Sequence, residues 1–279
     1  MARKEPVTVS DAVGVAERLW PTSGAEEWDA IGLLAGDRNA AVERIHLAVD
    51  AVPDTAEEAI ELGAQLLLVH HPLLLRGVTS VSEDHFKGAV VSRLIRGGCA
   101  LYAAHTNADA VDTGTSAVLA ARLGLVDAIP FQGAEGVERA DSGIGRVGRL
   151  ATPTTLGALA RTLADVLPPT ASGIRVSGAF EQTIQTVALC AGAGDSYLDD
   201  PAVQAADVYV TSDLRHHPAS AFRENAKLRG GPALIDVSHW ASEWLWLDTA
   251  AEELRGALEG VTVTVSDLRT DPWDFTVVQ

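Results

Sequence analysis

The run Leu66-Leu67-Leu68-Val69-His70-His71-Pro72 constrains this chain more than any other stretch. Unbroken apolar residues without polar alternation read as a strand buried on both faces, the mark of a parallel sheet covered by helices. Pro72 lacks an N–H and disfavours helix before it, so the element ends there and His70 and His71 sit at its tip. Adjacent side chains on a pleated strand point to opposite faces. Aiming both imidazoles into one cavity therefore requires a break in alternation between Val69 and Pro72. Buried strand ends also carry structural histidines satisfied by hydrogen bonds, and the pair alone leaves both readings open.

The flanking sequence supplies the sheet. Residues 44–50 alternate in a strand rhythm and end on Asp50, Asp54 and Thr55 cap a helix, and Gly63 stops it before the histidine-tipped strand. A right-handed crossover makes the two strands parallel and puts Asp50 and His70 at one sheet edge. His46, inside the first of them, reads as a structural or surface histidine. A second βαβ unit follows: Phe86, Val90, Val91, Leu94 and Ile95 are spaced for a helix that Gly97-Gly98 ends. The strand 99–104 then runs into His105-Thr106-Asn107-Ala108-Asp109. Upstream, Ser10-Asp11 caps an amphipathic helix closed by Pro21.

The segment 125–139, with Pro130, Gly133 and Gly136, reads as irregular and as a lobe boundary. Beyond it, strands are expected near 144–150, 174–176, 184–190, 207–211, 233–237 and 261–265. Helices are expected at 155–167, from about Pro218, and from His239 through Leu258. Ala191-Gly192-Ala193-Gly194-Asp195-Ser196 resembles part of a dinucleotide-binding turn but lacks its third glycine, which favours a plain turn. The expected fold is α/β and two-lobed, with mostly βαβ-built sheets. Residues 1–126 completed by 233–279 form the metal-bearing lobe, residues 127–232 form the second, and the site lies at strand carboxyl ends between the lobes.

A formal charge of −17 argues against a nucleic-acid backbone or an anionic membrane as partner, since both call for a basic face. No stretch approaches the roughly 18 apolar residues of a membrane span, and no signal-like apolar region follows the basic residues near the start. Cys99 and Cys190 lie in separate apolar runs and read as small core residues of a reducing compartment. A cytoplasmic protein is expected.

Six of the eight histidines (His70, His71, His105, His216, His217 and His239) follow expected buried strands within a few residues. Ligand and catalytic groups of open α/β sheets gather at those carboxyl ends, and Asp109 belongs with them. His239 and Glu243, four apart, share one helical face amid Trp240, Trp244 and Trp246. They suit metal ligation, with a solvated ion pair as the alternative. Imidazoles and carboxylates without thiolate fit zinc, manganese or iron. The candidates exceed one tetrahedral site, and two ions about 3.5–4 Å apart would activate water for hydrolysis of an amide-like, ring or phosphate-ester bond.

These motifs together resemble the interacting-factor-three-like proteins, also known as GTP cyclohydrolase type-two homologues. The resemblance spans most of the chain. It rests on Trp28-Asp29-Ala30-Ile31-Gly32-Leu33, His70-His71-Pro72, His105-Thr106-Asn107-Ala108-Asp109, Thr211-Ser212-Asp213-Leu214-Arg215-His216-His217, and Ile235-Asp236-Val237-Ser238-His239 with Glu243. By resemblance, His70, His71, Asp109, His239 and Glu243 ligate two divalent ions, and His105 and His217 line the cavity as acid/base candidates. The resemblance also implies a ring-shaped homohexamer and a nucleotide such as GTP as substrate. Ser212 and Ser238 stand where the family usually has glycine, and the long mid-chain regulatory insert of some relatives is not expected here. The reading is a dinuclear metal-dependent hydrolase. A non-enzymatic metal-binding or interaction protein, with a closed metal shell, is the rival.

Overall fold

The structure is a computed structural model that describes residues 6–133 and 142–278. The chain divides into two compact units, residues 1–108 with 247–270 and residues 109–246 with 271–279. The fold class is mixed α/β, as the strand and helix rhythm implies.

The first unit is built on a five-stranded sheet ordered Gly32–Ala35, Ala100–Ala103, Leu66–His71, Arg44–Asp50, Thr262–Val265. All neighbours pair in parallel except Gly32–Ala35, which runs antiparallel to Ala100–Ala103. Helices Pro53–Glu61 and Phe86–Arg96 make the crossovers, so Asp50 and His71 end up directly paired across two strands. One face of the sheet packs Ala48, Leu67, Val69, Leu101 and Ala103 against Ala56, Ala59, Val90 and Leu94. Ile45, Leu47, Leu66, Leu68 and Tyr102 are equally buried and alternate with that set. Both faces are therefore covered, which is why the Leu66–Val69 run is apolar without interruption. His46 is a buried structural histidine. Its Nδ1 lies 2.8 Å from Thr264 Oγ1 and its Nε2 2.9 Å from Glu58 Oε2, which ties the edge strand to its neighbour.

The opening helix is Val9–Leu19, and its cap lies two residues before the expected Ser10-Asp11. Thr8 is the cap: its Oγ1 accepts from Asp11 N at 3.2 Å while Asp11 Oδ2 accepts from Thr8 N at 2.8 Å. This reciprocal pair satisfies two otherwise orphaned donors.

The second unit holds a six-stranded sheet ordered Leu125–Ile129, Arg146–Thr155, Thr183–Ala193, Val208–Ser212, Ala233–Asp236, Arg175–Ser177. Its three middle strands, Thr183–Ala193, Val208–Ser212 and Ala233–Asp236, run parallel, and the flanking pairs are antiparallel. Ala188, Cys190, Tyr209, Phe222 and Leu234 belong to its core. Both cysteines are buried free thiols. Ala233–Asp236 pairs with Val208–Ser212 and so belongs to this sheet, although residues 233–279 were expected with the first lobe. The first division of the chain falls after Ala108, where 126 was expected.

Residues 125–129, expected to be irregular, form an antiparallel edge strand with a register shift between Val126 and Ile129. Asp127 within that shift has φ 54°, and the strand is largely exposed, so it carries no period-two apolar signal. The part of the 125–139 segment from residue 134 on lies outside the described residues. The helix expected near Pro218 begins at His216, because a proline in a helix's first turn sacrifices only an N–H that has no intrahelical partner. Among the described residues no helix is long and apolar enough to cross a membrane.

Candidate metal centre

Each unit presents one group of candidate ligands. In the first, one ring nitrogen from each of His70, His71 and His105 lies within 4.8 Å of the other two. The His70 and His71 rings are 5.1 Å apart at 48°, and His105 sits 5.2 Å from His70 and 5.6 Å from His71. Neighbouring strand residues thus face a common space. The register with Ala100–Ala103 ends at Val69, while pairing with Arg44–Asp50 continues to Asp50 and His71.

The backs of these rings are held. His70 Nδ1 donates to the Ala104 carbonyl at 2.9 Å, His71 Nδ1 lies 2.7 Å from Asp50 Oδ1, and His105 Nδ1 lies 2.9 Å from Asp29 Oδ1. Holding Nδ1 on a carbonyl or carboxylate is the arrangement that orients metal-binding imidazoles. Asp50 is itself hydrogen-bonded by Thr270 Oγ1. Asp29 accepts from Thr106 Oγ1 at 2.5 Å and from Thr106 N at 3.0 Å, anchoring the short helix Thr106–Asp109. The Trp28 ring meets His105 edge-on at 5.8 Å.

Burial raises the Asp29 carboxyl, but the bonds from His105 and Thr106 outweigh it and hold the group at about 2 against an ordinary 3.8. A folded pKa below the unfolded one contributes stability above the unfolded value, lost as pH falls through the folded value. Asp29 is expected to supply about 2 kcal/mol at neutral pH that disappears between roughly pH 4 and pH 2. Urea unfolding of wild type and Asp29→Asn across that range checks this, and equal pH slopes for the two proteins would refute it.

In the second unit the helix His239–Ala257 starts just beyond the strand Ala233–Asp236. His239 Nε2 lies 2.9 Å from Glu243 Oε1 across one helical turn, and His239 Nδ1 lies 2.8 Å from Asp213 Oδ2. Glu243 is 4% exposed, so the solvated ion pair weighed as the alternative does not describe it. Of the neighbouring tryptophans, Trp240 and Trp246 are buried and Trp244 is half-buried. Asp109 accepts from Thr115 Oγ1. Burial first, then the charges of Asp109 and Glu243, push the Cys190 thiol far up, so this thiol stays protonated between two acids. His216 and His217 are exposed in the first turn of their helix, ring centroids 5.1 Å apart, and their ring contact is with each other.

The two serines at family glycine positions have hydrogen-bonding roles. Ser238 Oγ donates to Asp271 Oδ1 at 2.6 Å and accepts from Ala241 N at 3.2 Å, capping the ligand-bearing helix. Ser212 Oγ donates to the Gly192 carbonyl at 2.5 Å. Asp213, next in sequence, has φ 56°, a left-handed conformation uncommon outside glycine that aims its carboxylate at His239.

Sequence reasoning named the imidazoles and Glu243 but gave no role to the acids behind them, Asp29, Asp50 and Asp213. Each lies in or beside a motif, yet a residue that orients another is identified only by its distance to it. Gly192 likewise lies in a Gly-x-Gly stretch whose sequence implies only a plain turn.

This fold, with histidine and carboxylate groups collected at strand ends, defines an α/β protein with a candidate metal site. A family model described as Duf34/NIF3 (NGG1p interacting factor 3) matches residues 7–272, and the chain belongs to that family. A Streptomyces coelicolor protein named GTP cyclohydrolase 1 type 2 homolog is 43% identical over 269 residues, 95% of this chain and 93% of that protein. One of the same name from Mycobacterium leprae is 33% identical, covering 96% of this chain and 95% of its own length. That alignment spans 372 positions against the 279 residues here, so the mycobacterial protein holds sequence this chain lacks. Among solved structures, a Staphylococcus aureus hypothetical protein matches with TM-score 0.85 and 27% identity, covering 98% of this chain and 100% of that one. A Bacillus cereus protein related to NIF3 has the same fold, with TM-score 0.85 at 22% identity and the same coverage.

Proposed function

We propose that this protein is a divalent-metal-dependent hydrolase whose two ions are held by His70, His71, Asp109, His239 and Glu243. The observation that carries the reading is the backing of the imidazoles: His70, His71 and His239 each have Nδ1 on a carbonyl or carboxylate, as metal-binding imidazoles do, and His239 Nε2 lies beside Glu243 Oε1. The donor set is nitrogen and carboxylate oxygen, which suits zinc, manganese or iron. Bound divalent ions would supply Lewis acidity and a water of lowered pKa. His105, steadied by Asp29, is positioned to move a proton, and His217 is assigned the same role from the family pattern alone.

The names of the relatives favour a nucleotide substrate of GTP type. The buried free thiols support a cytoplasmic location, and the family resemblance supports a homohexamer. A closed, non-enzymatic metal shell is the competing reading. Metal analysis of the protein purified without added metal, then reconstituted, is expected to give two ions per chain and fewer in His70→Ala. Less than one ion per reconstituted wild-type chain would end the dinuclear reading. Nucleotide or phosphoester turnover present in wild type and absent in His70→Ala would separate an enzyme from a metal-holding module.

A further inference from the structure

Gly192 is buried, with φ +72°. Its N–H donates to Ser242 Oγ at 2.9 Å, and its carbonyl accepts from Thr211 Oγ1 at 3.2 Å and Ser212 Oγ at 2.5 Å. All three serine and threonine residues are themselves fully buried. The residue is thus pinned on one side by the helix His239–Ala257 and on the other by the end of the strand Val208–Ser212. A Cβ added at Gly192 would lie 2.3 Å from Glu243 Oε1 and 3.4 Å from His239 Nε2. The space of the missing side chain is where the Glu243 carboxylate rests. Gly194 admits different neighbours: a Cβ there would lie 2.2 Å from Thr211 Oγ1 and 2.3 Å from Tyr209 OH. The two glycines of this Gly-x-Gly therefore serve close approach of side chains rather than a phosphate.

We propose that Gly192, clamped by Ser242, Thr211 and Ser212, is the positioning residue for the Glu243 carboxylate and sets its placement beside His239. The inference rests on the metal role of that pair proposed above. Glutamate has three rotatable side-chain bonds, and the i, i+4 spacing alone leaves its carboxylate several places to lie. The glycine surface behind Oε1 closes one side of that range, and the hydrogen-bonded clamp keeps the surface from drifting. A left-handed backbone is required to bring the peptide this close, and an L side chain disfavours both the conformation and the approach. Ser242 connects the clamp to the ligand helix itself, since it lies between His239 and Glu243 in sequence.

The test is Zn2+ binding to the metal-stripped full chain, read by competition with a chromophoric chelator, for wild type, Gly192→Ala, Ser212→Ala, Glu243→Gln and both double variants with Glu243→Gln. Gly192→Ala is expected to weaken Zn2+ binding by about 10- to 100-fold, and Ser212→Ala by roughly severalfold with unchanged far-ultraviolet circular dichroism. In the Glu243→Gln background either change should add less than about twofold, because the group being positioned has already lost its charge. A loss of the same size with and without the Glu243 carboxylate would make the role merely structural and overturn the proposal. Wild-type affinity in both Gly192→Ala and Ser212→Ala would overturn it as well. Should Gly192→Ala fail to fold, the Ser212→Ala cycle decides alone. Absence of Zn2+ binding by wild type would instead overturn the metal reading itself, and this inference with it.

Discussion

In the Glu243→Ala variant, divalent metal is expected to lose its stabilising effect, while the metal-free protein unfolds no earlier than wild type. Glu243 is 4% exposed and shares its surroundings with a second acid, Asp109: the negative charges of both bear on the buried Cys190 thiol. Without a cation, the Glu243 carboxylate is kept from water and loses hydration, so removing it relieves the fold. With a cation, the same charge is what the ion binds. A ligand that binds only the native state stabilises it by about 2.7 kcal/mol at one hundred times its Kd, a rise of roughly 5–10 °C in Tm for a chain of this size. Thermal unfolding with and without Zn2+ would show that shift in wild type and not in Glu243→Ala. An unchanged shift in the variant would remove Glu243 from the ligand set. Loss of stability in the metal-free variant would mean that the carboxylate serves packing through His239 and Gly192 rather than ligation.

Arg146→Ala is expected to destabilise the second unit by about 3–5 kcal/mol, the largest effect of any single change considered. The guanidinium is 3% exposed and donates to three carbonyls: Nη1 to Gly143 at 2.7 Å and to Gly145 at 2.6 Å, Nη2 to Val111 at 2.8 Å. Charge-assisted bonds of this kind contribute more than neutral ones, and truncation takes that donor from all three buried carbonyls, of which Val111 keeps the Gly114 N–H at 3.1 Å. Val111 stands two residues beyond Asp109, so the same guanidinium anchors the turn that presents a proposed ligand. Urea unfolding followed by tryptophan fluorescence checks the magnitude. Arg146→Met, which keeps most of the stem, separates lost packing from lost donors. A change below about 1 kcal/mol in both variants would show that the three carbonyls find water or other donors.

Much of the first unit was legible in advance. Residues 44–50 and 66–71 could be placed as adjacent parallel strands because a short crossover has one favoured hand, which puts Asp50 beside the histidine tip from sequence alone. The Asp50–His71 contact was not legible, since it depends on where the His71 ring turns at the strand end. The strand Leu125–Ile129 escaped notice because an exposed edge with a register shift has no apolar rhythm to detect. Ala233–Asp236 was recognisable as a strand but not assignable to its sheet. Four buried residues fit any two-faced core, and only their pairing with Val208–Ser212 decides.

The candidate site divides in the same way. Positions after buried strands singled out His70, His71, His105, His216, His217, His239 and Asp109, because strand ends are where an α/β chain can expose polar groups without breaking its ladder, and helical spacing from His239 added Glu243. What held those groups came from folding. Asp29 reaches His105 from 76 residues away, Asp213 reaches His239 from 26, and Gly192 meets Glu243 across a helix–strand contact. Local sequence carries the chemistry of a side chain and the period of its element. Its hydrogen-bond partner and the space it occupies are set by residues remote in the chain, so they exist only once the chain has packed.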